Sequence, residues 1–241
     1  MGESDLLALV ERRLQDRKAL ERSIVHPVVT QIIESTVREL SQSPDFKGRV
    51  KEQLQPIIVS VIRFLKFCLD AQGGATHSHT RYLFAPDALE SQLQQHLSEW
   101  FYGASAFTDL VIEAQQIAAG RIDMMFTFEG FRFVIELKRE QEDATRQGLG
   151  VYLRQAAAYQ ATDIAVGMLL VLDLTATPLP DHMRDHVWVD TVPSSDPGGT
   201  DRYIAVVRIP GNRTAPSRLS SHTAASLHRD VRSDGMEADS R

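Results

Sequence analysis

Residues 120–140 read GRIDMMFTFEGFRFVIELKRE, and their alternation decides the fold. Ile122, Met124, Phe126, Phe128, Phe131, Phe133, Ile135 and Leu137 form one apolar set. Arg121, Asp123, Met125, Thr127, Arg132, Val134, Glu136 and Lys138 form the other. A period of two predicts two strands with one buried face. The parity changes between Phe128 and Phe131, which centres the turn on Glu129-Gly130, where glycine supplies a positive φ. If Phe128 faces Phe131, Asp123 lies opposite Glu136, with Lys138 next on the same face. Directly opposed Cβ atoms stand about 4.5–5.5 Å apart, where like charges repel. Two readings follow from spacing alone: a divalent cation relieves the repulsion, or Lys138 and Arg121 neutralise the acids in a surface cluster.

On either side of this hairpin the pattern predicts a mixed α/β domain. A helix over 86–102 carries Leu89, Leu93, Leu97, Trp100 and Phe101 on its apolar side. Strand-like runs follow at 107–114, 121–128, 131–138 and 166–175, with a helix over 144–161 before the fourth and a last strand from Tyr203 to Ile209. Three helical stripes precede them: Leu6 to Leu20, Val28 to Leu40, and Val50 to Leu69. Pro27 suits a helix start, and Pro56 would kink or divide the third helix. The expected organisation is a helical region over 1–72, a linker over 73–82, a folded domain over 83–210 and a disordered tail over 211–241. The helical region reads as a packing or oligomerisation bundle, with a homodimer or a protein partner as its use.

Charge and composition exclude several classes. The 241 residues carry 26 Lys+Arg and 32 Asp+Glu, a net charge of −6. Residues 76–210 hold 10 basic and 18 acidic side chains, so the middle of the chain cannot grip a polyanion by bulk charge. Nucleic-acid chemistry there requires that some carboxylates hold metal ions. The longest apolar run, Ile57 to Leu69, is interrupted by Arg63 and Lys66 and falls short of the roughly 20 residues that span a bilayer. No membrane association is expected. Cys68 is the single cysteine and fits a buried thiol in a reducing cytoplasm. No glycine-rich phosphate loop of the Walker type occurs.

Asp123, twelve intervening residues and Glu136-Leu137-Lys138 resemble the PD-(D/E)xK nuclease superfamily. Gln155 and Tyr159 resemble the Q-x-x-x-Y element of its RecB-type and lambda-exonuclease-type branch. The order helix, three-strand meander, helix, strand also looks like that restriction-endonuclease-like fold. The resemblance covers roughly residues 86–175, and Ile122 stands where the superfamily's name has proline. It implies a Mg²⁺-dependent nuclease, with Mn²⁺ as a substitute, that hydrolyses phosphodiester bonds of DNA, RNA being the open alternative. Asp123 and Glu136 would hold the metal, and Lys138 would position or help deprotonate the attacking water. Gln155 and Tyr159 would orient substrate phosphate or the catalytic strand.

Glu90 sits where many members place a further metal-binding Glu, on the helix before the first strand. The competing reading is a capping box, Asp87-Ala88-Leu89-Glu90, in which Glu90 bonds first-turn backbone. Arg146 and Arg154 read as phosphate contacts or solvated arginines. His77 and His79 read as linker residues, His182 and His186 as loop residues, and Glu113 as an exposed strand carboxylate. A rival function is a binding or assembly module that keeps the fold without the reaction.

Overall fold

A computed structural model describes residues 26–71, 78–103, 116–117, 120–121, 123–160, 163–175, 182–194 and 197–213. The first helical stripe, His77, the expected strand over 107–114 with Glu113, and the tail beyond Arg213 lie outside these residues.

Four helices are described: α1 (Pro27–Leu40), α2 (Gly48–Asp70), α3 (Glu90–Gly103) and α4 (Gly150–Ala158). Seven strands accompany them: β1 (Gln116–Ile117), β2 (Gly120–Arg121), β3 (Met124–Phe128), β4 (Phe131–Glu140), β5 (Val166–Asp173), β6 (Val187–Val192) and β7 (Arg202–Pro210). β1 and β2 form a short ladder of their own. The other five make a mixed sheet in the order β3-β4-β5-β7-β6. The β4–β5 and β5–β7 pairs are parallel, and the outer pairs are antiparallel. The hairpin has the expected register, with Met124 opposite Ile135 and Phe128 opposite Phe131, and Gly130 takes φ 93° in its turn.

The sheet is covered on both faces, as its parallel centre of β4, β5 and β7 requires. On one face Phe126, Phe133, Ile135, Met168, Leu170, Ala205 and Val207 join the apolar stripes of α1, α2 and α3 in a single core. On the other, α4 packs Leu149, Leu153, Ala156 and Ala157 against Leu169, Val171, Ile204 and Val206. The hairpin therefore does not have one buried face only. Val134 and Glu136, on its polar set, are buried as well, because α4 folds back over them.

Four further expectations need correction. β6, in VWVDTV, falls within the expected loop and forms the outer strand beside β7. Pro56 does not divide α2: Glu52 and Pro56 both face solvent, so the carbonyl that loses its N–H partner is left to water. Ser78–Phe84, where the linker was expected to end, is a 3-10 helix that buries Thr80, Tyr82 and Leu83. The helix expected over 144–161 shortens to α4, with turns on either side. No helix among the described residues is long and apolar enough to cross a membrane.

Candidate active site

β4 outruns β3, whose ladder ends at the Met124–Ile135 pair. The N–H groups of Leu137 and Arg139, two residues apart, point to the same edge and need acceptors. Asp123 Oδ2 accepts from the Leu137 N–H at 2.8 Å, and the Glu90 carboxylate feels the Arg139 N–H and the charges of Asp123 and Lys138. A pair of acids thus lies along the strand edge where β3 stops.

α3 delivers this arrangement. Trp100 Nε1 donates to Ser60 O and Oγ, both at 3.1 Å, which fixes α3 to α2. His96 Nδ1 meets the Tyr82 hydroxyl at 3.1 Å in the interior. Gln94, four residues after Glu90 and so on the same helical face, donates to Asp123 O at 2.5 Å. The expected capping box is absent: Gln92 Oε1 accepts from the Leu89 N–H at 2.8 Å. Glu90, released from capping, turns to β4.

Glu136 stands at the centre. Its residue is 0% exposed, yet it carries a carboxylate. Oε1 takes the Lys138 ammonium at 2.5 Å, while Oε2 is buried with no hydrogen-bond partner among the described residues. Lys138 Nζ also lies 4.0 Å from Asp123 Oδ2. Burial above all pushes the Glu136 carboxyl up to about 7, the Lys138 bond opposes this, and the charges of Asp123 and Glu90 add to it. Glu90 is raised for the same first reason and then by Asp123. Lys138 is held above its ordinary value: burial works against its charge, but Glu136, Asp123 and Glu90 outweigh it. Three carboxylates share one ammonium.

The structure therefore brings together Asp123, Glu136, Lys138 and Glu90. Gln155 and Tyr159 lie farther along the same sheet face. Gln155 is exposed and its Nε2 meets the Tyr159 hydroxyl at 3.5 Å, while the Tyr159 ring packs on Met125 and Val134. Arg146 is held at the edge strand by Asp190 at 2.6 Å and by Val189 O, and Arg154 is exposed. His182 accepts from the Arg184 N–H, and buried His186 accepts from Arg208 Nε. The Nδ1 atom of each ring is used for local structure. Cys68 is buried, as expected.

Glu140 escaped the sequence reading, and its partner is Tyr152, three residues before Gln155 on the same helical side. Glu140 Oε1 accepts the N–H groups of Gln141, Glu142 and Asp143, and its Oε2 accepts the Tyr152 hydroxyl at 2.9 Å. The period-two pattern continued past Lys138 would have placed Glu140 on the same face.

Among the described residues, no three His, Cys, Asp or Glu side chains stand at a spacing that holds a metal ion. The donor chemistry nonetheless fits a hard cation, which takes carboxylate oxygens. The unpartnered Glu136 Oε2 is the one buried oxygen of the group that could turn to one. No protein-family model matches the chain, and no curated protein matches it.

Proposed function

We propose that the chain is a Mg²⁺-dependent nuclease of restriction-endonuclease-like fold that hydrolyses phosphodiester bonds of DNA. The observation that carries this reading is Glu136: a fully buried carboxylate with one oxygen unpartnered among the described residues, flanked by Asp123 and Glu90 and contacted by a lysine. Burying a charged group without full compensation is costly, and a bound divalent cation offsets that cost. Glu136, Asp123 and Glu90 would hold it. When bound, Mg²⁺, or Mn²⁺ in its place, lowers the pKa of water and neutralises charge on the phosphate.

The chain's own residues do the rest. Asp123, fixed by the Leu137 N–H of β4 and by Gln94 on its carbonyl, keeps its geometry without the substrate. Lys138 stays protonated at neutral pH and presents its ammonium to the phosphate oxygens, where charge grows as water attacks. α4 lies over the same face and limits solvent access to the strand.

One observation favours a second reading. The Lys138 ammonium already rests on Glu136, which also suits a binding or assembly module whose ion pair only stabilises the strand. The experiment is incubation of linear DNA, circular DNA and RNA with Mg²⁺, Mn²⁺ or EDTA. Metal-dependent cleavage supports the nuclease. If the protein cuts neither DNA nor RNA with any metal, the binding module replaces it.

A further inference from the structure

We infer that Tyr152 contacts the substrate, its hydroxyl turning from Glu140 to donate to a phosphate oxygen; the inference rests on the nuclease reading. Glu140 follows Lys138 by two residues, so it lies on the same face about 7 Å farther along the strand. Tyr152 is one of four donors to its carboxylate. Three backbone N–H groups hold Oε1, at 2.8, 2.7 and 3.2 Å, and they remain if the hydroxyl leaves Oε2. The hydroxyl can therefore turn away without leaving Glu140 unheld.

The Lys138 ammonium and the Glu136 carboxylate it contacts stand two and four residues before Glu140 on the same strand face. Tyr159 lies at the opposite end, over Val134, two residues before Glu136. The Tyr152 ring is fixed by the apolar cluster of α4, β5 and β7, so its hydroxyl has little freedom other than rotation. Burial, then the Glu140 bond and charge, hold the phenol above its ordinary pKa, and the fields of Lys138 and Glu90 reach it as well. It stays protonated at neutral pH and is a neutral donor. Such a donor suits an anionic phosphodiester beside a lysine that is already engaged with Glu136.

The test compares wild type with Tyr152→Phe. It measures KM and kcat for DNA cleavage with Mg²⁺, binding of a labelled DNA oligonucleotide in EDTA and in Mg²⁺, and the melting temperature. Loss of a hydrogen bond to a charged group predicts a rise of about tenfold in KM and in Kd with Mg²⁺. The melting temperature should fall only slightly, and its response to Mg²⁺ should stay unchanged, since the three N–H groups still hold Glu140. An unchanged KM, or a fall in kcat and melting temperature without a change in KM, overturns the assignment and leaves Tyr152 structural, while wild-type cleavage still upholds the nuclease. If wild type neither binds nor cleaves DNA, the inference and the nuclease reading fall together.

Discussion

The two faces of β4 are built on opposite terms. Toward α1, α2 and α3 the strand presents Phe131, Phe133, Ile135 and Leu137, all within one apolar core. Toward α4 it presents Val134, Glu136, Lys138 and Glu140, with Tyr152 and Tyr159 above them. Helices lie on both faces, but the first is buried throughout and the second only at Val134 and Glu136. An apolar face loses stability when atoms are removed, because a cavity remains. A face carrying two acids and one lysine is arranged for something other than stability, since each buried charge is costly.

The largest effect expected from this contrast is Phe133→Ala, which should cost about 3–5 kcal/mol in chemical denaturation. Glu136→Gln in EDTA should cost far less, or stabilise, because it removes a buried charge. A loss equal to that of Phe133→Ala would make the acids part of the scaffold.

Next in size is catalysis. Lys138→Ala should lower the cleavage rate about 10²–10³-fold, or about 2.7–4 kcal/mol, while keeping the thermal response to Mg²⁺. Asp123→Ala should lose both. If Lys138→Ala cuts at the wild-type rate, the lysine has no part in the reaction.

Metal should come third. At a hundredfold excess over Kd, Mg²⁺ or Mn²⁺ should stabilise the protein by about 2.7 kcal/mol. An undiminished shift in Glu136→Gln would place the cation elsewhere.

A smaller effect should appear with pH in EDTA. The folded protein binds the Glu136 proton more tightly than the unfolded chain does, because the folded value rises from 4.5 to about 7. Stability from this group is therefore complete below about 4.5 and falls as the pH rises through about 7. Thermal melts across that window should show the decline, and Glu136→Gln should flatten it.

The smallest effect belongs to the hairpin tip. Arg49→Ala removes an ion pair with Glu129 whose side chains are 57% and 84% exposed, and should leave the melting temperature unchanged.

Sequence alone revealed the hairpin because three independent signals agreed: parity, turn position and glycine. The observed ladder ends at Met124–Ile135, one step short of the Asp123–Glu136 pair that the alternation predicts, and Asp123 is joined to β4 through the Leu137 N–H. The apolar runs of β5 and β7 were equally plain. β6 was hidden because the reading of its region rested on His182, His186 and the flanking prolines rather than on the β-branched Val187, Val189, Thr191 and Val192. Covering of the second face was hidden for a different reason. Lys138 and Glu140 are polar, so alternation reads them as solvent-facing, and only the tertiary placement of α4 puts a helix there. Glu90 was undecided between a metal-binding carboxylate and a capping box, because both suit the start of a helix; Gln92, which takes the Leu89 N–H, argues against the capping box.

Arg213 ties the end of the described chain back to its beginning. Its N–H donates to Leu83 O, its guanidinium donates to Cys68 O at 2.5 Å and Leu69 O at 2.8 Å, and the same group lies over Phe84. A cation thereby caps the C-terminal carbonyls of α2 from 144 and 145 residues away. Anyone trimming the protein after Pro210, where β7 ends, would cut away this cap. The practical limit for a shortened form, or for attaching a label, lies beyond Arg213.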